Sequence, residues 1–296
     1  MSAPSVLYDA PGPKAKARNV IYAVAFVVVF VAAAWWVLDT MAEKNQLDWA
    51  KWSPFFTDSR VWTTFILPGL LNTLTAAVLS ILIALPIGAL FGILRLSDHK
   101  WISGPAATIV EFFRAVPVLI LMFFANEFYF NFTDVPSDQR PLYAVVTGLV
   151  LYNGSVLAEV VRAGILSLPR GQTEAAQALG LRKTQTMTNV LLPQAVTAML
   201  PAIVSQVVVI VKDTALGGAA LGFAELLSRS RPIANNYGAN TIATLVVIGV
   251  VYIVLNFIIT SLATWLANWS RQRRRGAPSA VAGPNDTGDQ PLAGVL

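Results

Sequence analysis

Glu174-Ala175-Ala176-Gln177-Ala178-Leu179-Gly180, followed after ten residues by Leu191-Leu192-Pro193, lies in the one long polar interval between two runs of membrane-like sequence. Alanine, leucine and glutamine from Glu174 to Leu179 favour a short helix. Gly180 is a natural stop, because glycine enters the left-handed region without the strain of a β-carbon. A second helix is expected beyond it. The stretch therefore predicts a helix–turn–helix held outside the lipid. Its apolar positions (Ala175, Ala178, Leu179, Leu181 and Met187) face water unless a partner covers them.

The surrounding composition defines the setting. Of 296 residues, 55% are hydrophobic and only 12% charged, and mean hydropathy is +0.61. Soluble domains carry roughly a quarter charged residues, so this chain is an integral membrane protein, and its helix-length apolar runs make the expected fold all-α. It has no cysteine, which excludes a disulfide framework, a thiol nucleophile and cysteine-based metal sites. The single histidine, His99, stands beside Lys100 in an expected loop and reads as solvated. No metal site and no catalytic residue emerge; neither a Ser/His/Asp set nor a carboxylate pair is apparent.

Six apolar runs follow from the chain in order. Residues 1–18 are proline-rich and basic, and read as a flexible cytoplasmic tail. Val20–Leu38 is nineteen residues, roughly 28 Å as a helix and enough to span. A cleaved signal peptide is the alternative, but the run is long for one and ends in Trp35-Trp36, which suit a membrane interface. Together with the aromatic, mixed-charge stretch that follows, residues 19–68 form a first membrane helix and an outer interfacial segment. Val61–Leu94 exceeds one span, so the second span is expected to begin near Gly69. Further spans are expected at Trp101–Phe124, Leu142–Gly164, Val190–Val211 and Thr241–Trp265. Residues 271–296 open with Arg271-Gln272-Arg273-Arg274-Arg275 and read as a basic, disordered tail.

Lys and Arg set the orientation. With the N-terminus inside, Lys14, Lys16, Arg18, Arg95, Lys100, Arg162, Arg170, Arg182, Lys183, Arg271, Arg273, Arg274 and Arg275 are cytoplasmic, thirteen in all. Lys44, Lys51, Arg60, Arg140, Lys212, Arg229 and Arg231, seven, lie outside. Both termini and residues 166–189 are thus expected in the cytoplasm. The basic clusters serve topology and lipid headgroups, which removes nucleic acid as a partner despite the net charge of +5.

The opening stretch resembles the EAA loop of bacterial ABC-importer permeases. That pattern, EAA-x3-G-x9-I-x-L-P, is met by Glu174-Ala175-Ala176, Gly180 and Val190-Leu191-Leu192-Pro193, with valine for isoleucine. Glu111-Phe112-Phe113-Arg114-Ala115-Val116-Pro117 is similar to the EF-x-RGTP stretch of polar amino-acid permeases, with Ala-Val for Gly-Thr. Lys212-Asp213-Thr214-Ala215-Leu216 is similar to their KDTSL. The resemblance covers about Gly69 to Trp265, and the extra first helix looks most like that of actinobacterial glutamate-uptake permeases. It implies a type I ABC-importer permease fold over residues 69–266 in the cell membrane. It also implies a homologous permease subunit, a cytoplasmic ATP-binding subunit, an extracellular solute-binding protein and a polar amino-acid substrate, glutamate. Glu174, Ala175, Ala176, Gly180, Leu192 and Pro193 then form the contact that couples to the ATPase. ATP belongs to that partner, because the chain has no G-x4-GK[ST] loop and binds no cofactor itself.

Charges inside apolar spans are costly, about 2.5–3.5 kcal/mol each at the bilayer centre on insertion scales, so they need a reason. Glu111 and Arg114 are three residues apart and expected to pair on one helical face; Glu159 and Arg162 repeat the spacing. Bracing ion pairs are the plain explanation, and a pathway in which Arg114 meets an anionic substrate is the functional one. Lys212 and Asp213 point to different sides of a helix and are expected to pair elsewhere, near an outer gate. Thr214–Gly238, with its small residues, is expected to form a short helix pair there or to pack closely. Two other classes compete with the permease reading. A secondary transporter requires inverted repeats with broken helices, and a membrane assembly protein leaves the polar loop without an energetic role.

Overall fold

The computed structural model describes residues 12–275, with side chains described to residue 265. Of the tails read at residues 1–18 and 271–296, residues 1–11 and 276–296 lie outside the described residues, whereas residues 271–275, expected to be disordered, continue the last helix. Every regular element among those described is helical. Five helices are long and apolar enough to cross a membrane, or six when a bent pair counts as one span. The chain divides into two compact units: the described residues up to Leu70 with Leu226–Val250, and Leu71–Glu225 with the described residues from Val251.

In the first unit, helix α1 (Pro13–Glu43) begins within the stretch read as tail. The reason is local, since Pro13 occupies the first turn, where its fixed φ suits a helix and its missing N–H costs nothing. None of its residues is buried, so its Val, Phe and Trp side chains stand open to lipid. One-turn helices at Trp49–Trp52 and Pro54–Thr57 follow. Their side chains are tied to the far end of the sequence. Lys51 Nζ donates to the Gly238 carbonyl (2.5 Å), Asn240 Nδ2 to the Lys51 carbonyl (3.1 Å), and Tyr237 Oη to Asp58 (2.7 Å). The Tyr237 hydrogen bond holds the Asp58 carboxyl below its usual range, while burial and then that carboxylate push the Tyr237 phenol up.

Helix α2 (Leu67–Leu94) continues without a break from a π-helical turn at Val61–Ile66. The helical span therefore begins before Gly69. In the second unit, Lys100–Ala115 (α3) and Val118–Phe132 (α4) are bent by 100° where one straight span was expected. Pro117 explains the break. It lacks an N–H and forces Val116 out of the helical region, where it takes φ −83° and ψ 127°. The bend opens a mostly apolar concavity of about 630 Å³, lined by Phe113, Phe124, Phe128, Tyr129 and Thr147 among others. None of the charged candidates lines it.

Helix α5 (Arg140–Leu166) is the most buried span and packs against α4 around Met122, Val145 and Leu149. A short helix α6 (Arg170–Ala178) leads to a 39-residue span, Lys183–Leu221, whose last part is α7 (Leu192–Leu221). α7 runs through Gly217 and Gly218 and stops at Gly222, in the left-handed region at φ +71°. The expected outer helix pair is thus replaced by a 3-10 turn (Leu227–Arg229) and one helix, α8 (Ser230–Asn236). Gly217 and Gly218 are close-packing positions, since a β-carbon would strike Val145 at the first and the Glu225 carboxylate at the second. Glu225 is fully buried and accepts a hydrogen bond from Tyr252 on the last helix, α9 (Thr241–Arg275), at 2.8 Å. The Ala224 carbonyl next to it accepts from Asn72 Nδ2 (2.8 Å).

Candidate functional site: the Arg170–Pro193 loop and its charge cluster

α6 starts one turn earlier than the sequence suggests. Pro169 precedes its first residue, Arg170, and Glu174 falls in the second turn. The helix dipole acts mainly on the first turn, so it does little for Glu174, and no acidic residue occupies that first turn. Ala176 is buried, whereas Ala175, Ala178 and Leu179 are exposed, Leu179 at 82%. The helix ends as expected at Gly180, with φ +77°. Gly180 N–H donates to the Gln177 carbonyl (2.9 Å) and Leu181 N–H to the Ala176 carbonyl (3.1 Å). This pair of bonds closes a helix end with a left-handed residue.

The helix after the glycine is the start of the next span rather than a separate piece. A single turn, Lys183–Gln185, passes into a π-helical turn at Thr186–Leu191 and then into α7, where Pro193 sits in the first turn. Gln185 Oε1 accepts from the Arg182 backbone N–H (2.9 Å) at its start. Leu191, Ala195 and Met199 bury against Val161 and Ile165 of α5, with Met187 and Leu192 partly buried beside them. Gln194 Nε2 reaches Gln172 of α6 at 3.2 Å. Lys183 Nζ binds Asp98 (2.5 Å) and the Leu96 carbonyl (3.3 Å), which joins the loop to the turn between α2 and α3. The hydrogen bond and charge of Lys183 hold Asp98 below its usual range. Leu192, Pro193 and Ala176 therefore hold the loop in shape, while Glu174, Ala175 and Gly180 lie open to a partner.

The charged residues of the spans assemble differently from their spacing. Glu159 and Arg162 pair as expected (2.6 Å). Glu111 does not pair with Arg114. It meets Arg95 (3.2 Å), whose other guanidinium nitrogen binds Glu159 (2.6 Å), while Arg114 lies 4.0 Å from Glu159. The three-residue spacing permits a local pair, but the end of α2 presents a third cation to both carboxylates. Lys212 and Asp213 are remote from this cluster in sequence and form no ion pair within 4 Å among the described residues; Lys212 is exposed and Asp213 half-buried. The expectation that each pairs elsewhere is not met.

Arg95 and Glu225 are the positions sequence reasoning passed over. Arg95 counts only as an inside charge there, although it follows Gly88-x3-Gly92 by three residues and so shares their face of α2. Among the described residues no group of three or more His, Cys, Asp or Glu side chains is arranged to hold a metal.

Several apolar spans, one of them broken, with an exposed helical loop between two of them, define a multi-pass membrane protein. Residues 84–272 match the family described as the binding-protein-dependent transport system inner membrane component, and the chain belongs to that family. It is 48% identical over 236 residues to the glutamate transport system permease protein GluD of Corynebacterium glutamicum, covering 80% of this chain and 84% of that one. It is 35% identical to the probable glutamine ABC transporter permease protein GlnP of Bacillus subtilis, covering 51% and 68%. Among solved structures, an amino acid ABC transporter with histidines superposes with a TM-score of 0.62 at 26% identity, over 70% of this chain and 94% of that one.

Proposed function

We propose that the chain is the permease subunit of an ATP-driven importer of a polar amino acid, and that this amino acid is glutamate. The observation that carries the mechanism is the exposed apolar edge of α6. A nine-residue helix outside the spans, with Leu179 uncovered beside two exposed alanines, is built to sink into another protein's surface. The chain has no phosphate-cradling glycine loop of its own, so that surface belongs to a cytoplasmic ATP-binding subunit. Glu174, Ala175 and Gly180 meet it, and Ala176, Leu192 and Pro193 hold the loop against α5 and α7. A homologous permease subunit completes the pathway, and an extracellular solute-binding protein delivers the substrate.

The distribution of Lys and Arg supports both termini and α6 on the cytoplasmic side. The family match at residues 84–272 supports a permease domain over residues 69–266, with α1 and the outer segment added before it. Glutamate rests on the relative at 48% identity. The test is uptake of labelled glutamate by vesicles holding the complete transporter, with unlabelled aspartate, glutamine and basic amino acids as competitors. Uptake should require ATP and be displaced by glutamate but not by arginine. Uptake that survives ATP depletion, or is displaced best by arginine, overturns the reading.

Arg114 is the cation of the cluster with the weakest tie, 4.0 Å from Glu159 and 42% exposed. We assign it to the pathway, facing an anionic substrate; Glu159 braces it and is itself held by Arg162, Glu111 flanks it in the same cluster, and Lys212 and Asp213 serve gating at the outer end of α7. A hydrogen bond to a charged group contributes about 1.5–3 kcal/mol. Arg114→Gln should therefore raise KM for glutamate about tenfold or more with normal assembly. Wild-type transport by that variant removes Arg114 from the pathway.

A further inference from the structure

The C-terminal halves of α2 and α5 meet where α2 presents only glycine, at Gly88 and Gly92. A β-carbon on Gly88 would stand 2.6 Å from Leu157 Cβ and 3.0 Å from the Gly154 carbonyl oxygen; one on Gly92 would stand 2.7 Å from the Ala158 carbonyl oxygen and from Val161 Cβ. Small residues four apart allow such an approach between membrane helices. Three residues beyond Gly92, just past the end of α2, Arg95 emerges beside Glu159. Its guanidinium forks: one nitrogen binds Glu159 of α5 and the other Glu111 of α3. The side chain is 10% exposed, so it is held between these helices rather than trailing in solvent. Glu159 also reaches two neighbours outside α5, Arg95 at 2.6 Å and Arg114 of α3 at 4.0 Å, and the shorter of these contacts is the Arg95 fork. α5, in turn, leads through Ser167–Pro169 directly into α6.

We infer that Arg95 is a positioning residue of the transport cycle. It clasps the ends of α2, α3 and α5 into one unit, so that displacement of α6 moves the bent α3–α4 span together with α5. This rests on the reading of α6 as the coupling contact. The glycine seam supplies the close approach of α2 to α5; α3, carrying Glu111, has the Arg95 fork as its closer ionic tie to them, since Arg114 reaches Glu159 only at 4.0 Å. Arginine suits this place because its planar fork serves two carboxylates at once, where lysine offers one compact charge.

The geometry also makes the idea testable without unfolding the protein. When Arg95 is removed, Glu159 keeps its contacts with Arg162 at 2.6, 3.1 and 3.2 Å. Glu111, 66% exposed, returns to solvent. Neither carboxylate is left buried and unpaired. In proteoliposomes holding the whole transporter and its binding protein, glutamate taken up per ATP hydrolysed is measured beside the melting temperature. Arg95→Gln should melt as wild type, keep hydrolysing ATP, and lose about fivefold in uptake per ATP. Arg95→Lys, which keeps the charge but not the fork, should recover part of that ratio. Glu111→Gln, which cuts only the exposed arm, should fall between Arg95→Gln and wild type, and decides the matter if Arg95→Gln fails to assemble. A purely structural role lowers hydrolysis and uptake together at an unchanged ratio, and that result overturns the proposal. Gly180→Leu, run in parallel, separates the two readings. If it leaves uptake and hydrolysis intact, the coupling role of α6 fails. If it disables uptake while Arg95→Gln and Glu111→Gln keep the ratio, only the clasp fails.

Discussion

Gly180→Leu is expected to abolish ATP-driven glutamate uptake while the protein still inserts into the membrane. The side chain itself meets nothing, for no atom lies within 4 Å of a β-carbon placed there. The penalty is in the backbone. At φ +77° an L-residue with a β-carbon loses about 1–2 kcal/mol, and a γ-branched side chain offers no local hydrogen bond to offset it. That is too little to disturb spans held by lipid and by one another. It is enough to reopen the two hydrogen bonds that close α6, from Gly180 to Gln177 and from Leu181 to Ala176. Once they open, Leu179 and the exposed alanines no longer present one surface. Asparagine visits the left-handed region more readily, so Gly180→Asn should retain much of the uptake. The check is uptake by inverted and right-side-out vesicles, normalised to inserted protein; wild-type uptake by the leucine variant rejects the coupling assignment.

Gly92→Leu should have the opposite character: little assembled protein at all. A β-carbon there overlaps the Ala158 carbonyl oxygen and Val161 Cβ, and the first of these is backbone of α5 that cannot rotate away. Relief requires α2 and α5 to separate. Overpacking of this kind costs about 1–3 kcal/mol even in forgiving cores, and separating two spans also exposes the buried Ala84 and Ala158 surfaces. Gly249→Leu is the matched control, since its β-carbon would meet nothing within 4 Å. Detergent-solubilised yield and melting temperature should fall for Gly92→Leu and hold for Gly249→Leu. Equal behaviour of the two variants refutes the tight seam.

Much of this molecule was legible before any coordinates. Apolar length marks the spans because every buried backbone polar group must be satisfied within its own helix. Gly180 announces its turn because no other residue enters that region as readily. Pro117 marks a place where a helix can break, but its 100° bend depends on what receives α4, namely α5, whose Val145 and Leu149 pack on Met122 of α4. Helix α1 reaches back through Lys14, Lys16 and Arg18 because the basic residues that set topology are also good helix formers.

The sequence by itself determined that this chain is a helical membrane protein, roughly where most of its spans run, which polar loop stands between them, and that the loop resembles a family's pattern. These properties are local, set by composition and by spacing along one helix. Spacing foretells the Glu159–Arg162 pair, but tertiary structure alone decided which charges meet between helices. Spacing tells that Glu111 and Arg114 share a face; it does not tell that a glycine seam brings Arg95 to that face, to hold both Glu111 and Glu159. An ion pair between helices depends on which backbones approach, and that is a property of the packed bundle.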